Sequence, residues 1–336
     1  MEKRAMRPVL DGDYWMIGDN PDLRAVLGVD DRGRVQEVVD HHIFRGTDGF
    51  WHLWACIRGT AVGRVLYHWK AEKLTDTHWE QTGEMIRADE AAGENQMRWR
   101  DEEWLQSPYV VKENGLYYMF YGGHSTEWDT MGKAAERMGT DYTLISTVSR
   151  GQIGLMTSLD GLTWTRHLNR KGQSRLFMGP GESRDPMLLK IDGLWHLYVA
   201  GASVGYYMEP MAQIYLRTSE DLLHWSDWIP VHHDHSISQD QSWEYSVWSH
   251  ECPFVAERAG YFYLFRTEDY GGQLTHVYRS EDPADFGLGH EAAKEKYVGI
   301  FPVGAPEIIV DEDGTEYISS SHNLQGGVML AKMRWE

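Results

Sequence analysis

Apolar and polar positions follow a phrase that the chain repeats five times. A polar lead-in, usually ending in Pro, opens a short apolar run. A Gly-containing turn follows, and then a run dense in aromatics. The copies are DHHIFRGTDGFWHLWA (40–55), QSPYVVKENGLYYMFYG (106–122), RDPMLLKIDGLWHLYVAG (184–201), ECPFVAERAGYFYLFR (251–266) and APEIIVDEDGTEYISSS (305–321). After the Pro the positions run apolar without clean alternation, as strands buried on both faces do. The Gly just ahead of the aromatics suits a tight hairpin, as at Asp48-Gly49, Asp192-Gly193 and Asp313-Gly314. Each copy therefore predicts an inner strand, a turn and a second strand.

A second phrase follows each hairpin: GQIGLMTSLDGLTWTRH (151–167), AQIYLRTSEDLLHWSDW (212–228), THVYRSEDPADFG (275–287), a looser RVLYHWKAEKLTDTHWEQ (64–81) and the closing GGVMLAKMRWE (326–336). It predicts a third strand and a Ser-x-Asp turn fixed by side-chain bonds to local backbone. A Trp or Phe then opens a fourth strand. Four strands per repeat and five repeats predict an all-β fold, a single five-bladed β-propeller domain with four antiparallel strands per blade. The blades fall at about 38–83, 104–169, 184–230, 249–290 and 303–336. Residues 1–37 form an N-terminal closing segment, and the stretch around Tyr14 to Val38 supplies the strand that the last blade lacks, closing the ring. The largest insertions, at about 83–105 and 122–150, are expected to decorate the functional face.

Composition narrows the function. The 336 residues include 15 Trp and 18 Tyr, residues that suit half-buried pleated surfaces and also stack on sugars. A formal net charge of −19 excludes a nucleic-acid partner, whose phosphates demand a basic face. No apolar run approaches a membrane span, so no membrane partner is expected, and the first residues lack the apolar core of a signal peptide. That pattern reads as cytoplasmic; a periplasmic or secreted protein whose signal peptide had been removed would look the same. The two cysteines, Cys56 and Cys252, fall on or beside predicted strands and suggest neither a disulfide framework nor a cysteine metal site.

In a propeller the innermost strands run along the central axis, and lead-ins from different blades meet at one mouth of the channel. Three lead-ins carry a carboxylate: Asp40, Asp185 and Glu251. Converging carboxylates raise one another's pKa values, which suits chemistry better than structure. Glycoside hydrolysis needs such a set, one group to protonate the leaving oxygen and another to attack or to activate water.

ESRDPMLL (182–189) resembles the Arg-Asp-Pro motif of the five-bladed propeller glycosidases, families 32, 43, 68 and 117. SHECPFV (249–255) is similar to the Glu-Cys-Pro motif of family 32, and the Ser158-to-Trp164 strand ending also resembles those enzymes. The likeness runs from about residue 38 to the end, where the β-sandwich of family 32 has no counterpart; single-domain members of families 43 and 117 are closer in size. The resemblance implies that Asp185 orients substrate and stabilises the transition state beside Arg184, that Glu251 is the general acid, and that Asp40 is nucleophile or base. Families 32 and 43 place the first-blade Asp directly before Pro, whereas this chain has Asp40-His41-His42. Aligned on the turn Gly, His42 takes the Pro place and Asp40 matches Glu251 in register. Asp19, beside Asn20-Pro21, is the rival first-blade carboxylate.

Further candidates cluster near the same mouth. His41, His42, His124, His250 and His322 sit at lead-ins or just beyond inner hairpins, where a histidine can donate to sugar hydroxyls. In family 117 a histidine is a candidate acid, which keeps His250 and His322 open to that role. Gln106 and Ser107 offer neutral hydrogen bonds, Glu307 lies just inside the fifth repeat, and Trp104, Trp128, Trp243 and Trp248 are loop platforms for a sugar. Trp51 and Trp195 read as core, and Arg45, Arg184 and Arg266 could meet an anionic sugar. The tract His232 to His235 reads as a solvated loop rather than a metal site. No cofactor or catalytic metal is expected, although a structural ion in the channel fits. The expected activity is that of an exo-acting glycosidase on an oligosaccharide. The alternatives are a glycoside phosphorylase and a non-catalytic carbohydrate-binding propeller. Oligomeric state is not legible.

Overall fold

The structure is a computed structural model that describes residues 3–94, 96–97, 102–124, 151–179, 183–204, 210–234, 250–269, 271–322 and 326–336. The fold is all-β, and the chain divides into two compact units. One holds Met16–Arg184 with Asn323–Val328; the other holds Met1–Trp15, Asp185–His322 and Met329–Glu336.

In the first unit the strands Glu37–Arg45, Trp51–Thr60, Gly63–Ala71 and Glu80–Ile86 form one antiparallel meander. Glu102–Glu113, Leu116–His124 and Gly151–Ser158 form a second, whose outer position is shared by the short strands Thr165–Arg166 and Arg175–Met178. A parallel pairing of Gly63 and Arg64 with Glu103 and Trp104 joins the two. Their inner faces share a core of Val39, Trp54, Leu66, Leu105, Met119 and Met156.

The other unit carries three sheets. The third meander is Arg184–Ile191, Leu194–Val204, Pro210–Ser219 and Ile229–His232. The fourth is Glu251–Arg258, Tyr261–Asp269, Leu274–Ser280 and Tyr297–Phe301. The fifth orders Glu307–Val310, Glu316–His322, Gly327–Trp335 and Pro8–Leu10. Tyr198 packs on Phe286 at 6.5 Å, and Tyr263 packs on Trp335 at 4.8 Å, so aromatics of the repeated phrase fill the spaces between sheets.

Turn chemistry explains why the repeats fold alike. Asn114-Gly115, Asp192-Gly193 and Ala259-Gly260 all have positive φ at both positions, the two-residue hairpin geometry that matches strand twist. The Ser-x-Asp turns recur as expected. Ser158 Oγ and Asp160 Oδ1 accept the amides of Gly161, Leu162 and Thr163, and Ser219 and Asp221 do the same for Leu222, Leu223 and His224. Those amides hold the Asp160 carboxyl down at about 2.

The outer edge of the fifth sheet is shared by Trp15–Asp19, inside the expected Tyr14–Val38 stretch, and by Pro8–Leu10 upstream of it, whose residues register with Trp335 to Met333. The fourth strand of the fourth sheet is Tyr297–Phe301, beyond the expected limit of 290; Phe286 is core, and a helix His290–Lys296 intervenes. The described part of the 83–105 insertion is braced by two buried carboxylates. Buried Glu94 receives Arg166 Nε and Nη2, both at 2.8 Å, and Glu103 is paired with Arg87. Most of the 122–150 insertion lies outside the described residues.

Candidate active site

Proline shapes every lead-in that contains it. Ser107, Asp185, Cys252 and Ala305 each precede Pro, and each has a positive φ, of 51°, 55°, 46° and 49°. This left-handed conformation costs a non-glycine residue roughly 1–2 kcal/mol and is further disfavoured before Pro. Such strain persists where the surroundings over-determine it, and it gathers at functional sites. Pairing breaks at the same place: between Gln106 and Tyr109 in the second sheet, and between Glu251 and Phe254 in the fourth. The chain is bulged there, and bulges re-aim side chains.

The first sheet makes the same bulge without Pro. Its pairing breaks between Val39 and His41, so Asp40 is the extra residue. Asp40 therefore corresponds to the Ser107-Pro108 and Cys252-Pro253 bulges, not to Glu251, which pairs with Thr267 just before its bulge. The sequence alignment on the turn Gly misplaced it because the first hairpin turn, Gly46 to Phe50, is longer than the two-residue turns Asn114-Gly115 and Ala259-Gly260.

In the first unit, buried Asp40 accepts a hydrogen bond from Ser107 Oγ at 2.9 Å. Gln106 Oε1 accepts from Arg64, whose guanidinium lies 3.8 Å from the Trp104 ring centroid. Trp104 is thus a strand residue under a cation rather than a loop platform. Gly122 brings Gln106 and Arg184 together: a Cβ there would stand 3.2 Å from Gln106 Cγ and 3.4 Å from Arg184 Cα. His41 is buried; His42 Nε2 donates to the Val110 carbonyl at 2.9 Å and its ring packs on Tyr109. Both histidines face protein. Asp19, the rival first-blade carboxylate, ends the strand Trp15–Asp19, which pairs with Gly327–Trp335 rather than with the first sheet, and is bonded to His78 Nδ1 at 2.6 Å.

In the other unit, Asp185 Oδ2 accepts the backbone N–H of Cys252 at 2.9 Å. A carboxylate of the third sheet is thereby fixed one residue from Glu251, which is part-exposed. The amide of Ala305, the strained residue before Pro306, donates to Thr267 Oγ1 at 2.9 Å, opposite Glu251 in register. Buried Glu307 and the serines of the fifth sheet complete the polar lining: Ser319 Oγ accepts the Glu307 amide and Ser320 Oγ accepts that of Gly304. His322 Nδ1 lies 3.2 Å from Gln273 Nε2, and its ring packs on Tyr14. An amide NH₂ only donates, so Nδ1 accepts and the neutral ring carries its hydrogen on Nε2.

Other expected residues fall elsewhere. His250 is 0% exposed, with Nε2 occupied by the Asp234 amide, which is a core position and not a sugar contact. The His232–Asp234 stretch is mostly buried rather than solvated, since His232 stacks on Tyr278 at 4.1 Å. Arg266 is buried against Tyr278, and Arg45 lies over Trp51. His124 ends its strand, but its side chain, like Trp128, His235, Trp243 and Trp248, lies outside the described residues. Cys56 and Cys252 are not joined in a disulfide. Thr267 and Ser319 to Ser321 were missed in the sequence. The serine run, standing where other repeats carry aromatics, was their one visible signal.

No protein-family model matches the chain, and no curated protein matches it. Solved structures do. A GH43_1 enzyme from Xanthomonas citri complexed with xylotriose superposes with a TM-score of 0.58 at 14% identity, over 92% of this chain and 93% of that one. An α-L-arabinofuranosidase from Lactobacillus brevis gives 0.57 at 12% identity, over 89% and 91%. A family 117 glycoside hydrolase from the marine bacterium Zobellia galactanivorans gives 0.54 at 11% identity, over 98% and 90%. At these identities the likeness shows the fold.

Proposed function

We propose that the protein is a glycoside hydrolase acting at the terminal sugar of an oligosaccharide, on a five-bladed propeller closed by its N-terminal strand. The observation that carries the reading is the Cys252 amide on Asp185. It ties two strained residues that precede Pro together and fixes one carboxylate one residue from another. The fold shared with family-43 and family-117 glycoside hydrolases supports it. Glu251, the part-exposed member, protonates the leaving oxygen. Asp185 holds the sugar and stabilises positive charge at the anomeric carbon. Asp40, set by Ser107, attacks that carbon or activates water. Arg184 and Gln106, brought together at Gly122, bind hydroxyls, with His322 Nε2–H and Glu307 as further contacts. Two-carboxylate hydrolysis proceeds without a cofactor.

The xylotriose complex and the arabinofuranosidase among the neighbours make pentosides the first substrates to test. Purified protein is incubated with nitrophenyl xylosides and arabinofuranosides and with xylo-oligosaccharides, with and without phosphate. The reading predicts single sugars released from one chain end at a rate independent of phosphate. Turnover that requires phosphate makes the protein a phosphorylase, and sugar binding without turnover makes it a lectin-like propeller; either overturns the proposal.

A further inference from the structure

Glu251 is held from both sides, and one of the holds takes no part in the chemistry above. After it, the Cys252 amide donates to Asp185. Before it, His250 is 0% exposed and its Nε2 lies 3.0 Å from the backbone N of Asp234. An amide N–H only donates, so Nε2 is the acceptor and the neutral ring carries its hydrogen on Nδ1. Asp234 is clamped in turn. It is 1% exposed, and its carbonyl accepts from Arg266 Nη2 at 3.4 Å. Arg266 is 0% exposed and lies between Phe265 and Thr267, the partners of Phe254 and Glu251, so it stands opposite the Cys252-Pro253 bulge. The chain of contacts closes on itself: His250 to Asp234, Asp234 to Arg266, and Arg266 back to the strand paired with that of Glu251. The neighbouring ring, His232, is 5.6 Å from His250 and bonded through Nδ1 to the Phe286 carbonyl. Burial, aided by the Arg266 charge, holds His232 far below its ordinary pKa, so no second cation competes for the Asp234 backbone.

We infer that His250 is a positioning residue for Glu251: by accepting the Asp234 amide it fixes the backbone from which the acid projects. The inference rests on the reading of Glu251 as general acid. His250 touches no substrate in this scheme. Its requirement is an acceptor at the reach of Nε2, which Gln supplies and which Asn and Ala do not.

The test uses leaving groups. Wild type, His250→Gln, His250→Asn and His250→Ala are compared on a 2,4-dinitrophenyl glycoside, whose leaving group needs little protonation, and on the matching disaccharide, whose leaving group needs it fully. A misplaced acid lowers kcat on the disaccharide by roughly 10- to 100-fold, leaves the dinitrophenyl rate nearly intact and changes KM little. His250→Gln restores the disaccharide rate. A purely structural role lowers both rates together in proportion to folded protein, and that result overturns the inference. If the Ala variant does not fold, the Gln and Asn pair carries the same comparison. Wild type without turnover on any glycoside overturns the glycosidase reading and this role with it. Wild-type turnover with equal losses on both substrates overturns this role alone.

Discussion

Replacing Glu94 with Gln tests whether the strap that leads into Trp104, Gln106 and Ser107 is held by one buried charge. The Glu94 side chain is 0% exposed. It accepts from Arg166 Nε and Nη2, from the Tyr121 hydroxyl, and from the Asp89 amide at 2.9 Å. Gln has nearly the same shape but presents N–H groups to donors on one side, and it leaves the Arg166 charge uncompensated. Removing one member of a buried pair costs about 3–5 kcal/mol. Arg166 keeps 22% side-chain exposure, so the low end, about 3 kcal/mol, is expected. For a cooperative unit of this size that is a fall of roughly 6 °C in Tm. The assay is urea unfolding followed by Trp fluorescence, supported by calorimetry. Adding Arg166→Met should recover part of the loss, since a charge no longer lacks its partner. A Glu94→Gln midpoint equal to wild type, or a double variant as unstable as the sum of the singles, refutes the reasoning.

Other outcomes follow from the same geometry. Asp185→Asn should fold with near-native Tm, because Asn tolerates the left-handed conformation and can still accept the Cys252 amide. It should nevertheless lose about 100-fold or more in turnover; a large Tm loss would make Asp185 a structural residue. Gly122→Ala, which crowds Gln106 and Arg184, should cost about 1–3 kcal/mol and raise KM; unchanged KM separates that pair from the sugar. Burial, with the nearby His52 and Lys70 charges, holds His68 down from 6.5 to about 3. The unfolded chain binds this proton near 6.5 and the folded one only near 3, so stability is complete above 6.5 and falls as pH drops through that window. The slope approaches about 1.4 kcal/mol per pH unit. Calorimetry between pH 7 and 4 should show a shallower fall in His68→Leu, and identical slopes would contradict the assignment.

The repeats and turns were legible in the sequence because their chemistry is local. Gly after Asn, Asp or Ala closes hairpins, and Ser-x-Asp ends third strands, wherever they occur in this fold. The fourth strands were not, since nothing between Ser280 and Tyr297 announces that a helix will delay the strand. The two Pro-linked carboxylate lead-ins were visible as motifs. Asp40 was placed by counting from the turn, and the count failed because the first hairpin turn is longer than the two-residue turns it was aligned with. Burial was hidden for a similar reason. His250 and Arg266 read as candidate sugar contacts and Asp234 as part of a solvated loop, yet tertiary partners satisfy them in the core.

The central claim is that Glu251 is the acid of a glycosidase. Wild type and Glu251→Gln are compared for release of sugar from a xylo-oligosaccharide at equal folded concentration. The account predicts measurable wild-type turnover and a loss of at least about 100-fold in the variant, with Tm preserved. Equal rates in the two proteins would contradict it.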